Sequence, residues 1–248
     1  MERLIDIHCH ILPAVDNGSV SMDQTRRMLT NAHEEGITYI IATPHYGAGC
    51  INSRSSELEE KLHQVQKAAK EIDPDFQVEL GNELFYSQDI AQHLRKGMAR
   101  TLAGTRYCLV KFLEDEEYSF LKSGLHSLLI QGYYPVLAQV ESYRCLYENY
   151  DNIAALINLG VYMQMNCRSL TGSVLNPNVR FARRLMEYDM VHLLGTGYSS
   201  DAQKSPGLKG GLSFISRYYG EERKNNLLEN TGKLLLNEKI ERQLFHYV

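Results

Sequence analysis

The stretch Ile5-Asp6-Ile7-His8-Cys9-His10 is an apolar run that ends in two histidines one residue apart. Side chains alternate faces along a β-strand, so His8 and His10 share a face and two imidazoles can converge on one cation. Cys9, between them, points to the opposite face and reads as core. Asp16 follows in Ala14-Val15-Asp16-Asn17-Gly18. A strand that delivers His-x-His and then an acid opens a metal site. Taken alone, the pair also reads as two satisfied histidines at a strand end, so the later strands decide.

The rest of the chain alternates strand-like and helix-like segments. Ser21 caps a helix with Met22, Thr25, Met28, Leu29 and Ala32 on one face, closed by Gly36. The run 37–42 is stopped by Pro44, with His45 just past its end, and a loop of Gly, Asn and Ser over 47–54 is long enough to lie over a site. A helix starts at Ser55 or Ser56, and the strand 76–80 runs into Gly81-Asn82-Glu83. After a short helix around 89–96, further strands follow at 107–112, 135–139, 161–166 and 191–195, each set off by a helical segment. The tail reads as mostly helical. Lys111 lies in a strand that is otherwise apolar on both sides, so it needs a partner or a route to water.

Seven strands separated by helices imply parallel pairing, in a closed barrel or an open doubly wound sheet. In an open sheet strand ends converge at a switch point, whereas a barrel brings every C-terminal strand end to one mouth. His8, His10, His45 and Glu83 sit at three successive strand ends, which suits a distorted (β/α)7 TIM-like barrel. With 248 residues and 44% hydrophobic content, one domain over 1–248 accommodates the whole core. The net charge of −4 offers no electrostatic reason to expect a nucleic acid or an anionic membrane as partner. Five cysteines without Cys-x-x-Cys spacing argue for reduced thiols rather than a disulfide framework. With no signal-like start and no apolar run near the roughly 18 residues that span a bilayer, a cytoplasmic protein without membrane insertion is expected.

The runs Asp6-Ile7-His8-Cys9-His10-Ile11-Leu12-Pro13, Asp16-Asn17-Gly18, Thr43-Pro44-His45-Tyr46 and Gly81-Asn82-Glu83 resemble the PHP (polymerase and histidinol phosphatase) family. More narrowly, they resemble the manganese-dependent protein-tyrosine phosphatases of bacterial capsule and exopolysaccharide clusters. The likeness extends through Tyr133-Tyr134-Pro135-Val136, Gln164-Met165-Asn166, Ser169-Leu170-Thr171-Gly172 and Val191-His192-Leu193-Leu194-Gly195-Thr196, covering nearly the whole chain in order. The resemblance implies a barrel with up to three metal ions and hydrolysis of phosphotyrosine on a partner tyrosine kinase that controls polymer length. It implies His8, His10 and Glu83 as ligands of one metal, with Asp16 and His45 serving another. His and carboxylate donors without thiolates suit manganese, iron or zinc.

At the later strand ends the chain departs from the family pattern. Lys111 stands where a glutamate is expected, Ala138-Gln139-Val140-Glu141-Ser142 where Ala-His-Pro-Glu-Arg is expected, and Gly195-Thr196-Gly197-Tyr198-Ser199 where Gly-Thr-Asp-x-His is expected. Ser205 replaces the arginine expected before Pro206. Candidate stand-ins are Asp201-Ala202-Gln203 after Ser200, the acids Glu114 and Asp115, and Arg144 as a phosphate contact. An ammonium at Lys111 repels nearby metals and can pair with Glu83, which implies fewer ions than the family's three. Lys111 is also a candidate phosphate contact, and no residue is assigned as catalytic. Two functions follow: a metal-dependent phosphatase with a reduced site, or a non-catalytic relative that binds a phosphotyrosine tail or a kinase as a regulator. Oligomeric state is left open.

Overall fold

The computed structural model describes residues 4–47, 49–50, 55–200 and 207–245. The stand-in motif at 201–203, the Ser205-Pro206 pair and residues 51–54 of the loop over the site lie outside the described residues.

The first strand, β1 (Leu4–Cys9), pairs in parallel with β2 (Ile37–Ala42), and β2 with β4 (Gln77–Leu80). A second parallel run has the order β3 (His45–Tyr46), β5 (Glu83–Phe85), β6 (Tyr107–Lys111), β7 (Tyr134–Leu137), β8 (Tyr162–Asn166) and β9 (Leu193–Gly195). The two runs are one barrel wall with two interruptions. Strand β2 breaks at Thr43-Pro44 and resumes as β3; β4 breaks at Gly81-Asn82 and resumes as β5. Proline has no N–H for the ladder, and the Pro44 carbonyl instead accepts from Glu83 N (3.1 Å) and Asn82 Nδ2 (2.9 Å). Counted this way the wall has seven strand positions, as the alternation of elements predicts. It closes where His10 N donates to Tyr198 O (2.9 Å) and Gly197 N to His8 O (2.8 Å).

The helices follow local signals. The Ser21 hydroxyl accepts from Gln24 N at the start of α1 (Met22–Glu34), and α2 covers Ser55–Ile72. The short α3 (Ile90–Arg95) and α4 (Tyr118–Ile130) precede α5 (Tyr150–Leu159), which Asn149 caps. Asn176 caps α6 (Pro177–Glu187), whose proline sits in the first turn, where its missing N–H costs nothing. The tail forms α7 (Leu208–Tyr219) and α8 (Glu221–Leu235), parted at Gly220. Among the described residues no helix is long and apolar enough to cross a membrane.

Alternate strand residues fill the barrel interior: Ile7, Ile41, Tyr107, Leu109, Val136, Ala138, Tyr162 and Leu193. The opposite strand faces, including Cys108, Val110, Leu137, Met163 and Met165, pack with the helices in an outer core. The register of β1 slips between Asp6 and Cys9, so Ile7 belongs to the inner cluster and Cys9 to the outer one although they are two residues apart. Tyr107, Tyr134 and Tyr162 stand at the N-terminal ends of their strands with ring centroids 5.1–6.3 Å apart. The C-terminal segment closes over them, since the Tyr107 hydroxyl donates to Glu238 O (2.6 Å) and that of Tyr162 to Ile240 O (3.1 Å). The C-terminal segment thereby covers the N-terminal end of the barrel, opposite the strand ends that carry His8, His10, His45 and Glu83.

His192, just before β9, is buried, and its Nδ1 accepts from Met163 N (3.1 Å). Burial, with the guanidinium groups of Arg223 and Arg242 adding to it, pushes its pKa down to about 3 from an ordinary 6.5. Below pH 6.5 the unfolded chain takes up a proton that the folded chain refuses until about pH 3. The stability this group contributes is therefore complete above pH 6.5 and is lost as pH falls through that window. Between pH 7 and pH 5 the loss is on the order of 2 kcal/mol. Urea titrations of His192→Gln should show a correspondingly shallower acid loss than the wild type; equal slopes would contradict this assignment.

Candidate metal centre

Three strand ends meet at one point of the mouth. His8 lies on β1 and His10 one residue past its end, His45 opens β3, and Glu83 opens β5 in register with His45. The irregularity in β1 and the two breaks that create β3 and β5 turn these side chains toward one another. His8 Nε2 and His10 Nε2 are 3.3 Å apart. Glu83 Oε1 is 3.4 Å from His8 Nε2, and Glu83 Oε2 is 3.6 Å from His10 Nε2 and 2.8 Å from His45 Nε2. Asp16 Oδ2 takes His10 Nδ1 at 2.8 Å and His45 N at 3.1 Å, while its Oδ1 accepts from Gly18 N at 2.8 Å. All five residues expected at a metal site are thus brought together.

Charge follows the geometry. Burial pushes the Glu83 carboxyl up, yet His8, His45 and His10 outweigh it and hold it well below the usual range. Burial alone lowers His8, but the Glu83 carboxylate prevails and raises it. Burial also raises Asp16, and its bonds to His10, Gly18 and His45 bring it down.

A cation fits this donor set. Glu83 Oε1 is buried and receives no hydrogen bond, an atom left open 3.4 Å from His8 Nε2. The ligand atoms of His8, His10 and Glu83 lie within 4.8 Å of one another, as do those of His10, Asp16 and His45. The two groups share His10. Its Nδ1 is engaged by the Asp16 carboxylate, which leaves Nε2 toward the first group, the arrangement in which a carboxylate would orient a ligating imidazole.

The other side of the mouth is different. Lys111, at the end of β6 and only 8% exposed, donates to Gln139 Oε1 (2.5 Å) and Ser142 Oγ (3.2 Å) and sits 5.3 Å over the Tyr143 ring. The expected direct pairing of Lys111 with Glu83 is not formed. Glu83 stands opposite Leu109, and Lys111 is opposite Phe85, two places further along the ladder. Burial lowers the Lys111 pKa, with Glu83, Glu114 and Glu141 opposing it from a distance. Arg144 lies on the turn Arg144–Leu146 with its side chain exposed, away from the bonds of the histidine cluster. The loop acid Glu114 uses its carbonyl to accept Arg144 N.

Residues without a role in the sequence reading complete the framework. Asp6 Oδ1 accepts from His8 N (3.1 Å) and Thr196 N (3.0 Å), and its Oδ2 from the Thr196 hydroxyl, stapling β1 to the end of β9. Glu141 Oε1 accepts from Asn166 N (3.0 Å) and Ser169 Oγ (2.7 Å), joining the loops after β7 and β8. Gln164 Oε1 lies 3.2 Å from His8 Nδ1. The available signal was polarity inside an apolar strand, the same that singled out Lys111.

The ninth strand end is shaped for small residues. Gly197 has φ +57°, and a Cβ there would lie 2.7 Å from Asn166 Nδ2, so the acid expected by resemblance has no room without moving Asn166.

The family model described as "Capsular polysaccharide synthesis, CpsB/CapC" matches residues 4–237. The chain belongs to that family. Among CpsB/CapC relatives, it is 28% identical over 243 residues to the tyrosine-protein phosphatase CpsB of Streptococcus pneumoniae, covering 96% of this chain and 100% of that one. It is 30% identical over 240 residues to the tyrosine-protein phosphatase YwqE of Bacillus subtilis (strain 168), covering 97% and 94%. A chain from the crystal structures of YwqE and S. pneumoniae CpsB, described as unique metal-dependent tyrosine phosphatases, matches with a TM-score of 0.90 at 30% identity over 97% of each chain.

Gly195 offers a check on the packing beneath the site. A Cβ there would lie 2.7 Å from His8 Cβ and 2.9 Å from Gln164 Nε2, both buried. Gly195→Ala should lower unfolding free energy by about 1–3 kcal/mol. An unchanged urea midpoint would show that the contact is relieved freely.

Proposed function

We propose that this chain is a single-domain, metal-dependent protein-tyrosine phosphatase that acts in the cytoplasm on a tyrosine kinase of capsular or exopolysaccharide synthesis. The observation that carries the reading is the convergence of His8, His10 and Glu83 at the open end of a barrel whose family relatives are named tyrosine-protein phosphatases.

One divalent ion, held by His8, His10 and Glu83, is the reading the donor set supports, with manganese first and iron or zinc as alternatives. The chemistry such an ion supplies when bound is Lewis acidity toward water and toward a phosphoryl oxygen. The protein's own groups do the rest. Asp16 keeps the His10 proton on Nδ1, and the Asp6–Thr196 staple holds the strand that carries both histidines. Lys111 offers a fixed positive charge to phosphate, and the exposed Arg144 can close on the ester from the rim. His45, partly open to solvent and bonded to Glu83 Oε2, keeps that carboxylate ionised.

A second reading rests on a specific observation. The ends of β6, β7 and β9 present Lys111, Gln139 and Gly197, none of which is a histidine or a carboxylate, and the Gln139 Oε1 that could face a cation is taken by the Lys111 ammonium. In that reading the protein binds a phosphotyrosine tail and regulates by occupancy.

Metal analysis of protein purified without chelators, paired with hydrolysis of a phosphotyrosine peptide with and without manganese, separates the two. The phosphatase reading expects about one ion per chain and manganese-stimulated turnover. His8→Ala should remove both, and Lys111→Met should raise KM severalfold while metal content stays unchanged. Peptide binding without bound metal or turnover would favour the regulator.

A further inference from the structure

We propose that Gln164 is a positioning residue that joins the two halves of the mouth: one side-chain amide selects the free nitrogen of His8 and seats the backbone from which Lys111 is held. The inference rests on the reading of His8 as a metal ligand.

Gln164 is fully buried on β8. Its Oε1 accepts from Gln139 N at 2.9 Å and lies 3.2 Å from His8 Nδ1, and its Nε2 donates to Asn166 Oδ1 at 3.1 Å. A backbone N–H can only donate, so the Gln164 atom facing Gln139 N is the oxygen. His8 Nδ1 faces that same oxygen and must carry the ring proton. In the neutral ring that a cation requires, His8 Nε2 is then the lone-pair nitrogen, and it is the one turned toward His10 Nε2 and Glu83. The amide therefore does for His8 what the Asp16 carboxylate does for His10.

The same oxygen acts on the lysine side. Gln139 has φ +51°, a left-handed conformation that costs a non-glycine residue stability and persists only where neighbours impose it. Gln164 holds its N–H, and Ser142 donates to its carbonyl through both N and Oγ, each at 2.9 Å. So fixed, Gln139 turns its own Oε1 to the Lys111 ammonium. Gly195 leaves space for the amide, since any Cβ there would press on Gln164 Nε2.

The test is Mn2+ binding by equilibrium dialysis to the full-length wild type, Gln164→Leu and Gln164→Glu, with circular dichroism and Tm as folding controls. Orthophosphate binding, with Lys111→Met as reference, reads the lysine side. Gln164→Leu should bind Mn2+ about 10- to 100-fold more weakly and bind orthophosphate as weakly as Lys111→Met. Gln164→Glu keeps an acceptor for both N–H groups and should stay within a few-fold of wild-type Mn2+ affinity, a rescue that packing alone would not give. A folded Gln164→Leu with wild-type Mn2+ affinity overturns the proposal. If the leucine variant does not fold, a folded Gln164→Glu weakened tenfold or more overturns it. A wild type that binds no Mn2+ overturns the underlying metal reading, a result distinct from either.

Discussion

A carboxylate buried among three imidazoles is the interaction on which the mouth of this barrel depends. Glu83 is 3% exposed, and an ionised carboxylate taken that far from water costs several kcal/mol unless it is compensated. Compensation comes from His8, His10 and His45, which reach it from the ends of β1 and β3. His8 and His10 depend in turn on further contacts. His10 is held by Asp16, His8 by Gln164, and the strand that carries both by the Asp6–Thr196 staple. Losing one of these outer contacts leaves the imidazole in place but free to turn, so the cluster depends on groups that never touch a ligand.

The barrel makes this cluster possible by breaking its own regularity. Two wall strands stop and restart, at Thr43-Pro44 and at Gly81-Asn82, and the restarts are the short segments that carry His45 and Glu83. An unbroken ladder would send successive side chains to alternating faces with no control over their reach. At the other end the C-terminal segment covers the tyrosine floor. On the far side of the mouth, Lys111 places a fixed cation two ladder positions beyond Glu83, turned toward Gln139 and Ser142. That separation lets a cation on the histidine side and an ammonium on the lysine side face one anion without direct like-charge contact.

Much of this was legible from residue order. The alternation of apolar runs with capped helical segments led to seven strands, and His-x-His with later polar strand ends led to the five clustered residues. The two restarted segments were hidden because strands of two or three residues carry no periodic pattern. The extra residue in β1 was hidden too, since register is set by a partner strand and not by local sequence. Lys111 was recognised as needing a partner, but the choice of Gln139 and Ser142 over Glu83 depends on ladder register. Asp6 and Gln164 stood in the quoted runs without a role, because their partners lie 190 and 156 residues away in the chain.

The central claim is that one divalent ion occupies the mouth, on His8, His10 and Glu83, with Lys111 taking the place of further positive charge. Anomalous diffraction at the manganese edge, from crystals equilibrated with Mn2+, tests it most directly. The account predicts a single peak bounded by His8 Nε2, His10 Nε2 and Glu83. Two or more peaks in the mouth, or one peak held by Asp16 and His45 without His8, would contradict it.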